Sequence, residues 1–135
     1  ALTETMRLAS EVNKYLDEKA PWFEIKEDRE AAAKSVYTAI RAIDNLKVLF
    51  APVLPFTCVQ LHQTLGYDKP LFGEQYTEEV EDNLGTHTVL RYREGDVCCD
   101  WRPSEISAGQ GFNKPKPLFK KLDPEVAEQE LERLG

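Results

Sequence analysis

Two histidines, three cysteines and the pair Gly109-Gln110-Gly111 are the residues of this chain whose types could support catalysis, and none sits at a spacing that does. His62 lies among Leu61 and Leu65, His87 lies in the alternating stretch Thr86–Arg93, and neither has a motif partner nearby, so each is read as structural. Cys58, Cys98 and Cys99 are odd in number, two are adjacent, and none lies in a Cys-x-x-Cys pair, which fits neither a secreted disulfide framework nor a zinc knuckle. Nucleophilic attack by Cys98 or Cys99 would need a positioned base and a lowered thiol pKa, and the sequence supplies no partner for either. The glycine pair lacks the further glycine, the lysine and the strand-to-helix setting of a phosphate loop. No catalytic residue and no metal ligand set is expected in these residues.

Binding is better represented. Asn13-Lys14-Tyr15-Leu16-Asp17-Glu18-Lys19-Ala20-Pro21-Trp22 is an amphipathic helical segment that runs into a proline and hands the chain to a large aromatic. Pro21 has no amide to donate and biases Ala20 away from helical dihedrals, so the helix ends there and Trp22 stands at an element boundary. An indole at such a corner either anchors a core or offers a face on which a nucleobase stacks.

The elements that must hold this corner are mostly helical. Leu2, Met6, Ala9, Val12, Leu16 and Ala20 recur at three- and four-residue steps and predict a first helix ending at Lys19. Asp28 is a suitable N-cap for a second helix of about five turns, with Ala32, Val36, Ile40, Ile43, Leu46 and Phe50 as its stripe. Ala51-Pro52-Val53-Leu54-Pro55 must interrupt that helix. A third restarts there, with Thr57 and Gln60 at capping-box spacing, Phe56, Val59 and Leu65 on the apolar side, and Gly66 as its stop. Short connections make antiparallel neighbours of the three. From Tyr67 to Gly111 the pattern is mostly irregular, with one small hairpin pairing residues 86–93 with 97–101 around Glu94-Gly95. Asp123 and Pro124 open a last helix with Ala127, Leu131 and Leu134 on one face.

At 135 residues the chain is read as one domain, residues 1–135, large enough to bury a core without staples. No apolar run approaches the roughly 20 residues of a membrane span, and no signal-peptide layout is present, so a soluble protein of the reducing cytoplasm is expected. The net charge of −7 argues against general nucleic-acid binding. Glu74, Glu78, Glu79, Glu81 and Asp82 form one acidic block, Asp123, Glu125, Glu128, Glu130 and Glu132 another, and Lys114, Lys116, Lys120 and Lys121 a basic one; all three are read as solvated surface.

The corner at Ala20-Pro21-Trp22, followed by Lys26, then Pro52-Val53-Leu54-Pro55-Phe56-Thr57, Leu65-Gly66, Trp101 and Lys116-Pro117-Leu118-Phe119-Lys120-Lys121-Leu122, resembles the anticodon-binding helical domain of methionyl-tRNA synthetases. The resemblance runs over nearly the whole chain and in order. The proline-proline corner ending in Leu-Gly is similar to several class I synthetases, including those for valine, leucine and isoleucine, whereas Ala20-Pro21-Trp22 is the sharper signal. It implies a mainly α fold, an antiparallel bundle of the class Ia anticodon-binding type. It also implies that Pro21, Trp22 and Lys26 meet the anticodon loop of tRNA for methionine, with the indole on the first anticodon base; Asn13, by bracing the helix corner, and Arg29, by keeping the local potential favourable, are read as supporting residues. Tyr15 and Asp17 support the helix corner, Trp101 is expected to pack, and the lysines from 114 to 121 suit an extended strip docked on another domain. The family reads the anticodon also with an asparagine and an arginine on an earlier helix, so half the reading site is expected outside these residues. Its ATP motifs have no counterpart here, so the chain is expected to be a fragment of a methionine-tRNA ligase whose catalytic domain holds ATP with magnesium. The alternatives are an acidic helical protein-interaction module and the equivalent domain of another class I synthetase.

Overall fold

Prolines set the starts of three helices. In the computed structural model, which describes residues 1–95, 97, 101–121 and 123–134, Pro21, Pro55 and Pro124 each stand first in a helix, where a missing N–H forfeits no bond. The order is α1 (Leu2–Lys19), α2 (Pro21–Glu24), α3 (Arg29–Phe50), α4 (Pro55–Thr64), β1 (Glu74–Asp82), β2 (Gly85–Arg93) and α5 (Pro124–Leu134). α1, α2 and α4 all pack on α3, so the mainly α bundle is built around one central helix.

That helix is 22 residues long, about a turn more than expected from the sequence. Asp28 caps it as anticipated, its carboxylate accepting from the N–H groups of Glu30 and Ala31, both at 3.0 Å. The apolar stripes hold in part: Ala9, Val12, Leu16 and Ala20 of α1 are half-buried and Ala32 of α3 is buried. Leu2 and Met6 are about half exposed, and the fully buried residue of α1 is Thr5, whose hydroxyl donates to the Ala1 carbonyl at 3.3 Å. On α3 the buried line is Ala32, Ser35, Ala39, Asp44 and Lys47, while Val36 is exposed and Ile40, Ile43, Leu46 and Phe50 are half-buried. Small residues at the contact line let neighbouring helices approach closely; Ser35, for example, donates to a carboxylate oxygen of Glu24 on α2 at 3.3 Å.

α4 starts without the anticipated capping box. Pro55 occupies its first position and Leu54 the N-cap, so Thr57 lies inside the first turn and caps nothing. Phe56 is 83% exposed, and the buried residues of the helix are Cys58 and His62. The apolar core forms where Cys58 meets Ala51 and Leu71, with Phe50, Leu54, Val59 and Phe72 around them.

Beside it lies a polar core. The Lys47 ammonium, 3% exposed, donates to Asp44 Oδ1 at 2.7 Å and to His62 Nδ1 at 2.9 Å, and lies 4.2 Å from the centre of the Tyr67 ring. Tyr67 stacks on His62 at 4.4 Å and donates its hydroxyl to Asp44 Oδ2 at 2.6 Å. The Lys69 carbonyl can only accept, at 2.7 Å, so His62 Nε2 carries the proton and Nδ1 receives the one offered by Lys47. His62 is a structural histidine, held neutral.

The hairpin is not the one expected. Residues 86–93 do form a strand, but its partner is the acidic block: β1 and β2 pair antiparallel from Glu74↔Arg93 to Asp82↔Gly85. Asn83 and Leu84 make a two-residue turn without positive φ, and Gly85, which closes the ladder opposite Asp82, takes φ 95°. The crowded carboxylates are tolerated because both strands face solvent and Arg91 and Arg93 reach across to Glu78 and Glu74 at 2.9 and 2.7 Å. Neither Val97 nor Trp101 belongs to a strand, and Cys98, Cys99 and Asp100 lie outside the described residues. α5 forms as anticipated, with Leu131 and Leu134 71% and 84% exposed. Among the described residues no helix is long and apolar enough to cross a membrane.

Burial pushes the His62 imidazole below its ordinary 6.5; the Lys69 carbonyl opposes the shift and the Lys47 charge adds to it. Burial opposes ionisation of Asp44, but bonds from Lys47, Ser104 and Tyr67 outweigh it and hold the carboxyl below its ordinary 3.8. Both folded values lie below the unfolded ones, so on acidification the unfolded chain binds protons first. The His62 contribution is intact above pH 6.5 and lost below it, and the Asp44 contribution is lost as pH falls through its lowered value, under 3.8. Urea midpoints therefore fall between about pH 7.5 and about pH 5, and His62→Gln flattens that slope while lowering stability throughout by about 1–3 kcal/mol.

Candidate nucleic-acid interface

The corner is made by a strained alanine. With Pro21 next in the chain the helix cannot continue, and Ala20 takes φ 40°, ψ 54°, its N–H still donating to the Leu16 carbonyl at 2.8 Å. It is the one non-glycine residue with positive φ among those described, a conformation costing an L-residue about 1–2 kcal/mol. The turn buries the Pro21 ring and sends Trp22 outward, where it is 51% exposed and edge-on to Phe23 at 6.4 Å. Of the two roles open to that indole, the exposed face fits a stacking surface better than a core anchor.

Trp22 lies on a cleft of about 540 Å³. Pro21 and Trp22 line one side from α2 and Ile25 from the turn after it; Arg29, Ala33, Val36 and Tyr37 line it from α3; residues 106–110 and Phe112 complete it. Of the residues singled out in the sequence, the structure brings Pro21, Trp22 and Arg29 together on this cleft. Lys26 is exposed on the turn after α2, next to the cleft but outside its lining, and Asn13 is exposed on α1 and does not reach it. Several surface cations are paired with carboxylates, among them Arg7, Lys14, Lys34, Arg91 and Arg93. Lys26 and Arg29 carry no ion pair among the described residues, which leaves both charges available to a phosphate.

The segment 106–112 was legible only as irregular chain, yet it is firmly held. Tyr37 donates to the Ile106 carbonyl at 2.8 Å, Arg41 to the Ser104 carbonyl at 2.7 Å, and the Ser104 N–H to Asn45 Oδ1 at 2.8 Å. The other attachments go to the end of α4, whose last carbonyls have no partner within the helix. The Gly66 and Tyr67 N–H groups return to the Gln63 and His62 carbonyls, a Schellman cap with Gly66 at φ 77°. Gln110 donates its side-chain amide to the Leu65 carbonyl; Asn113 donates its backbone N–H to Thr64 at 3.0 Å and its side chain to Gln63 at 2.6 Å. Gly66 thus does more than stop a helix: a Cβ there would lie 2.0 Å from the Gly111 carbonyl oxygen. The sequence signal for this wall was the pair of amide side chains, Gln110 and Asn113, flanking Gly111-Phe112.

Trp101, expected to pack, is 72% exposed and only borders a second groove of about 480 Å³, between α1 and α3, where Leu8, Val12, Tyr15, Leu46 and Leu49 lie. Among the described residues no group of three or more His, Cys, Asp or Glu side chains is placed to hold a metal ion.

Comparison with known proteins gives one consistent result. A family model described as the anticodon binding domain of methionyl tRNA ligase matches residues 2–91. A methionine–tRNA ligase of Thermomicrobium roseum is 52% identical over 136 residues, taking in 99% of this chain and 23% of the relative. That of Chloroflexus aurantiacus is 45% identical, over 99% of this chain and 22% of the relative, and one from Dehalococcoides mccartyi is 40% identical, over 100% and 20%. The chain spans less than a quarter of the length of these curated relatives.

Gly66→Ala meets both the positive φ and the Gly111 carbonyl. It is expected to lower stability by about 2–4 kcal/mol, read as a drop in urea midpoint, whereas Gly109→Ala, whose Cβ meets nothing, shows only the backbone penalty of about 1–2 kcal/mol.

Proposed function

Because this chain belongs to the family of anticodon-binding domains of methionyl tRNA ligase, we propose that it recognises the anticodon loop of tRNA for methionine. It does so for a cytoplasmic ligase whose catalytic domain, elsewhere in the protein, uses ATP with magnesium to join methionine to that tRNA. The observation that carries this reading is the half-exposed Trp22 beside the buried Pro21, on an apolar cleft that also holds Arg29.

The chemistry suits single-stranded RNA. Anticodon bases are unpaired, so they can be splayed onto an aromatic face while their edges find hydrogen-bond partners. Trp22 supplies the face, Pro21 holds the turn that presents it, and Arg29 and Lys26 meet the phosphates on either side. Asn13, away from the cleft on α1, acts at most by supporting the helix that leads into the corner. Stacking contributes about 1–3 kcal/mol per base and does not depend on the sign of the net charge, so a chain of charge −7 can bind RNA locally.

The test is Trp22→Ala in the intact ligase that carries this chain. Aminoacylation efficiency, as kcat/KM for tRNA bearing CAU, is expected to fall about 5- to 150-fold, and discrimination against an altered anticodon to shrink with it. Methionine activation, followed by tRNA-independent ATP–pyrophosphate exchange, should stay unchanged. Lys26→Ala and Arg29→Ala should raise KM for tRNA and reduce the salt slope by about one each. Unaltered kcat/KM and discrimination in Trp22→Ala would defeat the proposal.

A further inference from the structure

Trp22 is not the only aromatic side chain on the cleft. Phe112 lines it from the 106–112 segment and is 46% exposed. Gln110, two residues before it, and Asn113, directly after it, are both tied to the last carbonyls of α4. Gly111 between them is seated against the side of Gly66 that a Cβ would occupy. The chain around Phe112 is therefore fixed on both sides while the ring itself is left half in solvent, the arrangement of a pre-positioned contact surface rather than of a core residue. The cleft's volume, about 540 Å³, lies within the roughly 300–1,000 Å³ of sites that take ligands of nucleoside size and above.

We infer that Phe112 is a second stacking surface, taking the unpaired base next to the one on Trp22. This rests on the function proposed above. Consecutive bases of a splayed single strand each need a face, and aromatic side chains spaced along one groove are how proteins supply them. Arg29 selects the occupant: on the same cleft and without an ion pair among the described residues, it matches the phosphate between two bases, and an apolar peptide would leave that charge unmet. Continuity with the Trp22 face places the second base on the same strand.

The experiment uses the intact ligase with Phe112→Ala, Phe112→Leu and Phe112→Tyr, and Trp22→Ala as reference. Phe112→Ala is expected to lower kcat/KM for tRNA about 5- to 150-fold with ATP–pyrophosphate exchange unchanged. Phe112→Tyr, which keeps a stacking ring, should stay within about threefold of the parent, and Phe112→Leu, apolar but unable to stack, should fall with the alanine variant. Pyrophosphate exchange lost alongside aminoacylation, leucine performing as well as tyrosine, or an alanine variant within twofold of the parent would each overturn the inference. In the last case a defective Trp22→Ala leaves the proposed function standing; if Trp22→Ala is also silent, both fall together.

Discussion

One buried positive charge organises this domain. Taking an ammonium out of water costs several kcal/mol unless its donors are satisfied, and Lys47 meets that demand with the Asp44 carboxylate, the His62 ring nitrogen and the Tyr67 face. Each partner comes from a different stretch: Asp44 from α3, His62 from α4, Tyr67 from the chain leaving α4. Sliding α4 along α3 by a turn would strand the charge. The network therefore fixes where α4 ends, and so where its unpaired carbonyls lie. Those carbonyls receive Gln110 and Asn113, and the second wall of the cleft follows from them. Asp44, also bonded to Ser104, draws the start of the same segment onto α3.

The helices were legible because their signals are local. A proline after Ala20, an aspartate before Arg29 and a glycine after Leu65 act on backbone groups within a turn, and each boundary falls where they place it. What the sequence hid is non-local. Lys47 looks like a surface lysine until His62, fifteen positions on, is brought beside it. The glutamates of β1 read as a solvated run, and only the register opposite Arg91 and Arg93 makes a strand of them. For the cleft, Pro21 and Trp22 were visible as a corner, and Arg29 entered as support; residues 106–112 have no periodicity of their own and take their shape from bonds to α3 and α4.

The charge balance has a structural explanation as well. Much of the surplus negative charge stands on β1 and α5, exposed and away from the lining of the cleft. On the helices and β2, the basic side chains near carboxylates are engaged by them at 2.6 to 4.0 Å. Lys26 and Arg29 have no such partner among the described residues. Exposed pairs of that kind add little to stability, but they set which cations remain for a polyanion to find.

Five of the bonds that seat the second wall reach far back along the chain: Ile106 to Tyr37, Ser104 to Arg41 and Asn45, Asn113 to Gln63 and Gln110 to Leu65 span 69, 63, 59, 50 and 45 residues. Closing such loops is entropically unfavourable until the surface that receives them exists. The wall should thus be the last part of the domain to assemble. In a nascent chain, α1 to α4 can form while the wall is still being synthesised, so Trp22 is in place before the cleft that will frame it.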